Sequence, residues 1–149
     1  MDRFDEAILR ELEADGRLSF ADLGERTGLS KSPCWKRVQA LEASGVIRGY
    51  RANLDPAALG LSTLAFVQVT VAFERQEAFE QAVAAHPAVL SCHATVGATD
   101  YLMRVIMPSM NALDEFLRQI LWRLQGVERF TTTLAMRTIK DNGLLTPNI

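Results

Sequence analysis

Ser32, Lys36 and Gln39 are spaced four and three residues apart, which at 100° per residue places them on one side of a helix. An ammonium group, a hydroxyl and a carboxamide on one face suit hydrogen bonding to phosphate oxygens and to the donor and acceptor groups of base edges. Lys31 immediately precedes this set, Trp35 lies on its flank, and Arg48 and Arg51 follow within "GVIRGYR". Charge is concentrated in the same stretch. Residues 30–51 carry net +4, residues 1–29 carry net −4 and the remainder net −2, giving −2 for the chain and a pI near 5.7. Because the Debye length is about 8 Å at physiological salt, acidic surface elsewhere does not prevent a local basic face from meeting a polyanion.

The polar face is set against an apolar one. Cys34, Val38 and Leu41 fall within about 60° of one another on the same helical wheel and must face a core. Arg37 borders that core, and the spacing leaves two roles open to it: an ion pair with a carboxylate such as Asp5, or a phosphate contact. The helix start is expected at Ser32, with Pro33 in the first helical position. Before it, Phe4, Ile8 and Leu12, with Ala7 and Leu9 alongside, predict a first helix ended near Gly16, and Ser19 is expected to cap a short second helix carrying Phe20, Leu23 and Arg26. Gly28 in "TGLS" supplies the positive φ of a tight turn. This is helix-turn-helix order. Gly24, inside the second helix, points to close approach of the third.

The stretch "RANLDPAALGLS" mixes turn-forming residues and is expected to be a hinge. Beyond it, "LAFVQVTVAF" alternates as a strand with Ala65, Val67, Val69, Val71 and Phe73 on one side. Next come a helix "EAFEQAVAAH", strands "VLSCHATV" and "DYLMRVIM", a helix from Ser109 and a last strand "VERFTTTLAMRTI". The order βαββαβ is the ferredoxin-like split βαβ pattern, whose two helices cover one sheet face. The other face of the first strand, with Leu64 and Phe66, is also apolar, so a second copy of the chain is expected to cover it. The organisation read from the sequence is α+β: a helix-turn-helix domain (1–52), a hinge linker (53–63), a ferredoxin-like domain (64–140) and a C-terminal tail (141–149).

Several classes are disfavoured. No nucleophile elbow, phosphate loop or metal-ligand cluster is present, so the chain is not expected to be an enzyme or to carry a cofactor or metal. His86 and His93 lack ligand spacing and are expected at the surface or an interface, while Cys34 and Cys92 read as small buried hydrophobes. No apolar run approaches the roughly 18 residues of a membrane span, and the amphipathic N-terminus is unlike a secretory signal, which places the chain in the cytoplasm.

The segment "LSKSPCWKRVQALEASGVIRGY" resembles the recognition helix and exit strand of the Lrp/AsnC (feast/famine) transcription regulators, "VGATDYLMRV" resembles the loop of their effector domain, and "TTTLAMRTIK" their last strand. The resemblance implies a winged-helix-like DNA-binding domain and an effector domain that pairs sheets into homodimers, which often assemble into octamers. It also implies a small-molecule effector, usually an amino acid, bound between dimers. Carried over by match, the positions facing double-stranded DNA are Ser32, Pro33, Trp35, Lys36, Arg37 and Gln39, with Lys31, Arg48 and Arg51 as phosphate contacts. The effector positions are Gly97, Ala98, Thr99, Asp100, Tyr101 and Thr132. Val96, Ala98 and Thr99 depart from the family's commoner residues and make this loop smaller. Read from its residues alone, the loop is a β-turn at Gly97 that Asp100 caps or salt-bridges, and the resemblance is what favours the effector role. An alternative of another class is an enzyme on the same scaffold, as in siroheme decarboxylases, which need not keep a basic recognition helix.

Overall fold

The computed structural model describes residues 1–149, which form two compact units: residues 1–53 with 139–149, and residues 54–138. In the first, Asp2 caps α1 (Arg3–Ala14): its carboxylate accepts from the Phe4 and Asp5 amides while Asp5 accepts from the Asp2 amide. These reciprocal bonds satisfy donors that a helix start otherwise leaves unpaired. Ser19 caps α2 (Phe20–Thr27), accepting from the Asp22 amide as its position in the sequence predicts. Gly28 ends α2 at φ 72°, a conformation that costs a residue with a Cβ about 1–2 kcal/mol.

The third helix, α3, spans Lys31–Ala43. Its cap is Ser30, not Ser32, and the first i to i−4 bond runs from the Cys34 amide to the Ser30 carbonyl at 3.1 Å. Pro33 therefore sits at the third helical position, where its missing N–H is no loss because amides of the first turn have no intrahelical acceptor. Gly24 also has a different neighbour from the one expected. A Cβ there would lie 2.6 Å from the carbonyl oxygen of Leu29, so the close approach is to the turn entering α3. Ile8, Leu23, Cys34, Val38 and Leu41 form the buried centre of this unit, as the wheel predicts.

After α3 the backbone makes no ladder, so the expected exit strand is absent: the single sheet of the chain offers it no partner. Pro56 begins a turn at 56–60, closed by the Gly60 amide donating to Ala57 and the Leu61 amide to Pro56.

The second unit runs β1 (Thr63–Val71), α4 (Gln76–Ala85), β2 (Val89–Ala94), β3 (Tyr101–Met107), α5 (Met110–Phe116) and β4 (Val127–Leu134). The strands pair antiparallel in the order β2-β3-β1-β4, confirming the ferredoxin-like reading. Ala65, Val67, Val69 and Val71 are buried beneath α4 and α5 with Tyr101, Met103 and Val105. Phe73 is 83% exposed, because β1 ends at Val71 and Phe73 falls in a following 3-10 turn. After Phe116 the last helix loosens into a π-helical turn over Leu117–Leu121. β4 stops at Leu134, short of Ile139.

As the alternation predicts, the register places Leu64, Phe66 and Gln68 opposite Ile106, Arg104 and Leu102 on the sheet face away from the helices, where no element of this unit covers Phe66. One feature differs from the expected organisation. Residues 139–149, read as the end of the second domain and a free tail, belong to the first unit, because Glu13 of α1 accepts from the amides of Leu145 and Thr146. No helix is long and apolar enough to cross a membrane.

Candidate nucleic-acid interface

Burial of Cys34 and Val38 fixes the rotation of α3 and thereby turns Lys31, Ser32, Pro33, Trp35, Lys36 and Gln39 outward, all exposed. Trp35 is 47% exposed, a large aromatic surface for a folded unit to leave in water. Arg48 and Arg51 are exposed on the segment that follows α3. The structure thus brings eight of the nine sequence-predicted positions to the surface of one small unit.

Arg37 is the ninth. Its guanidinium lies 2.7 Å from Asp5 and 2.9 Å from Asp2 and over the ring of Phe4 at 5.4 Å, so of the two roles open to it the ion pair is formed. The two carboxylates, Asp5 foremost, raise the guanidinium pKa, and the Asp2 carboxyl is held below the usual range by the Asp5 amide and by Arg37. The helix start of α1 is thereby pinned to α3. Asp2 as second partner is detectable only through its role as a cap, since it lies 35 residues away from Arg37 in the chain.

Glu42, the one acidic residue of the basic segment, is itself engaged. One of its oxygens accepts from the Gln39 amide at 2.9 Å and the other from the Tyr50 hydroxyl at 3.0 Å. Burial, followed by the Glu42 charge, pushes the Tyr50 phenol up to about 12. Glu42 thus bridges the end of α3 to the segment bearing Arg48 and Arg51. The three-residue spacing of Gln39 and Glu42 is a helix-neighbour signal that a search for basic residues passes over.

The effector positions separate into two groups. Gly97 and Ala98 are exposed, with Gly97 at φ 153°, and the loop is closed by the Thr95 hydroxyl donating to the Thr99 carbonyl at 2.7 Å. Asp100 ties the loop to β1: its amide donates to Val69, and its carboxylate accepts from the Val71 amide at 2.8 Å, where the register of β1 with β4 shifts. Tyr101 turns beneath α4, its ring 4.8 Å from Phe79 and its hydroxyl donating to Glu80 at 2.7 Å. Burial and Glu80 raise its phenol to about 12. Thr132 is on the same helix-covered face, two residues further along the sheet and across β1, and its hydroxyl is buried without a partner.

The remaining singled-out groups have structural roles. The Nδ1 atom of His86 accepts from the Ala88 amide and its ring meets Phe116 edge-on, closing the end of α4. Burial raises both cysteine thiols, Cys92 with a further contribution from Glu80. No group of three or more His, Cys, Asp or Glu is gathered to hold a metal ion.

Residues 1–48 match the winged helix-turn-helix DNA-binding family and residues 64–145 the Lrp/AsnC ligand binding domain. The leucine-responsive regulatory proteins of Salmonella typhimurium and Escherichia coli K12 are each 40% identical over 148 residues, covering 97% of this chain and 90% of theirs. A transcriptional regulator from Neisseria meningitidis, solved as a complex with L-Met, superposes at a TM-score of 0.90 with 37% identity, covering 95% of this chain and 93% of its own. An AsnC family regulator from Agrobacterium tumefaciens gives 0.89 and 36%, covering 95% and 94%. These relatives are transcriptional regulators, and the enzyme reading of the scaffold has no support among them. The exposed basic face on a helix-turn-helix, joined to a four-stranded effector domain in one chain, makes this protein a DNA-binding transcription regulator of the Lrp/AsnC family.

Proposed function

We propose that the protein is a sequence-specific, homo-oligomeric regulator in which α3 enters the major groove of double-stranded DNA. Ser32, Lys36 and Gln39 approach base edges, Pro33 and Trp35 pack on the groove wall, and Lys31, Arg48 and Arg51 bind phosphates. The observation that carries this reading is the outward polar face of α3, contiguous in sequence with exposed Arg48 and Arg51 in the one net-positive segment of an acidic chain. Gln39 must exchange its bond to Glu42 for a base, a small cost for an exposed pair. Arg37, held by Asp2 and Asp5, orients α3 and offers a phosphate only the part of its guanidinium those carboxylates leave.

The same proposal makes the second unit the sensor. An amino acid is its effector, a reading supported by the L-Met complex of the Neisseria regulator, and it binds at the Gly97–Tyr101 loop with Thr132, between dimers that pair their open sheet faces and assemble to an octamer in the cytoplasm. A second reading of the loop, as a turn alone, is favoured by the bond from Val71 to Asp100. A thermal-shift screen of the twenty amino acids tests the sensor: a ligand at 100 times its Kd raises stability by about 2.7 kcal/mol. A screen without any shift contradicts it.

A further inference from the structure

Arg48 and Arg51 stand on a segment with no regular secondary structure, so neighbouring groups must hold its shape. Two come from the helices. The Ile47 amide donates to the Leu41 carbonyl at 3.1 Å, and Tyr50 reaches Glu42 at 3.0 Å. The far end of the chain faces the same segment: Leu145, Thr146 and Ile149 line, with Leu9, Leu12 and residues 46–51, one half-open cavity of about 700 Å³.

What fixes that end of the chain is Glu13. One of its carboxylate oxygens accepts from the Leu145 amide at 2.7 Å and the other from the Thr146 amide at 2.9 Å, and the Asn142 side chain donates to that of Asn53 at 3.0 Å. The two amides hold the Glu13 carboxyl below the usual carboxylate range, so the acceptor is ionised throughout neutral pH. Thr146 is only 6% exposed, yet Leu145 is 71% exposed. Charge-assisted hydrogen bonds, with little apolar burial, carry the attachment. An attachment of that kind opens at far less cost than a core helix.

Connectivity gives the attachment a use. The chain passes between the two units twice, once after Asn53 and again after Thr138. The second passage starts from β4, which carries Thr132.

We propose that residues 141–149 form a latch, closed by Glu13, that supports the Arg48–Arg51 segment in its DNA-binding shape and connects it through the chain to β4 of the sensor unit. The latch rests on the DNA-binding reading above for its use, but not for its existence. Opening it loosens the arginine segment and weakens DNA binding.

The test compares the full-length chain with Glu13→Gln and with a chain ending at Lys140, using amide hydrogen exchange and DNA titration on the same samples. In the wild type the Leu145 and Thr146 amides are expected to exchange slowly. Glu13→Gln is expected to speed both about tenfold, the worth of losing a charge-assisted bond, and to speed Ile47 severalfold while Ile8 and Leu23 are unchanged. Both variants are expected to bind DNA several-fold more weakly. Unprotected Leu145 and Thr146 amides in the wild type overturn the latch. Released amides with Ile47 protection and DNA affinity unaltered overturn its supporting role. A Lys140-ended chain that fails to fold leaves Glu13→Gln to decide. A wild type that binds no DNA removes the DNA-binding reading, and the exchange data still decide whether the latch exists and supports the segment.

Discussion

Lys36 and Arg51 are both exposed cations, but their positions give them different work. Lys36 projects from α3 opposite Cys34 and Val38, so Lys36→Ala is expected to weaken specific binding by roughly 1–3 kcal/mol and relax preference at one position of each half-site. Arg51→Ala is expected to weaken all sequences alike and flatten the salt dependence by about one unit. Titrations against cognate and scrambled DNA at several salt concentrations separate the two. In the second unit the proposed effector role of Asp100 has to be separated from a structural one, because its carboxylate already accepts from the Val71 amide. Asp100→Ala strands that part-buried N–H and is expected to cost about 1–3 kcal/mol of stability. Asp100→Asn keeps an acceptor and loses the charge, so it is expected to keep most of that stability and to lose the response to an amino-acid effector. An Asn variant with a full response assigns the loop to turn formation alone.

Packing of the elements makes its own demands. Gly24→Ala improves intrinsic helix propensity by about 1 kcal/mol, yet its Cβ would press on the Leu29 carbonyl oxygen. We expect net destabilisation of about 2 kcal/mol, measured by urea denaturation. The folded-state phenols of Tyr50 and Tyr101 lie near 12, above the usual value of about 10. Raised acid groups stabilise the fold below the unfolded value and cease to do so as pH rises through the folded one, so stability is expected to fall between about pH 10 and 12, and Tyr101→Phe to shrink that loss. Asp2 has the opposite sign: its lowered carboxyl stabilises above the usual carboxylate value and loses that contribution as acid protonates it. Most elements are legible in the sequence because their signals are local. Phe4, Ile8 and Leu12 mark a helix face, Ser19 a cap, and the alternation from Ala65 to Val71 a strand. The start of α3 is ambiguous because Ser30 and Ser32 both suit a cap and proline is tolerated anywhere in a first turn. Long-range pairs leave no local trace. Glu13 is 132 residues from Leu145 and Asp100 is 29 from Val71, so neither bond has a periodicity that announces it.

For the whole molecule, the proposed assembly has the second unit supply the dimer. Leu64, Phe66, Leu102 and Ile106 share the sheet face away from its own helices, where Phe66 is exposed and Leu64 and Leu102 are half-buried. Residues 54–138 alone are therefore expected to sediment as a dimer at micromolar concentration, and a folded monomer would contradict the proposed pairing. The central claim is that an acidic chain holds DNA through one local basic face. It is tested most directly by measuring the affinity of the full-length protein for duplex DNA from its own promoter across a range of salt. The account predicts saturable binding whose log K falls linearly with log salt, with a slope near −0.9 for each phosphate neutralised, and so near −3 per protomer if Lys31, Arg48 and Arg51 each meet one. Binding that is absent at low salt, or indifferent to salt, would contradict it.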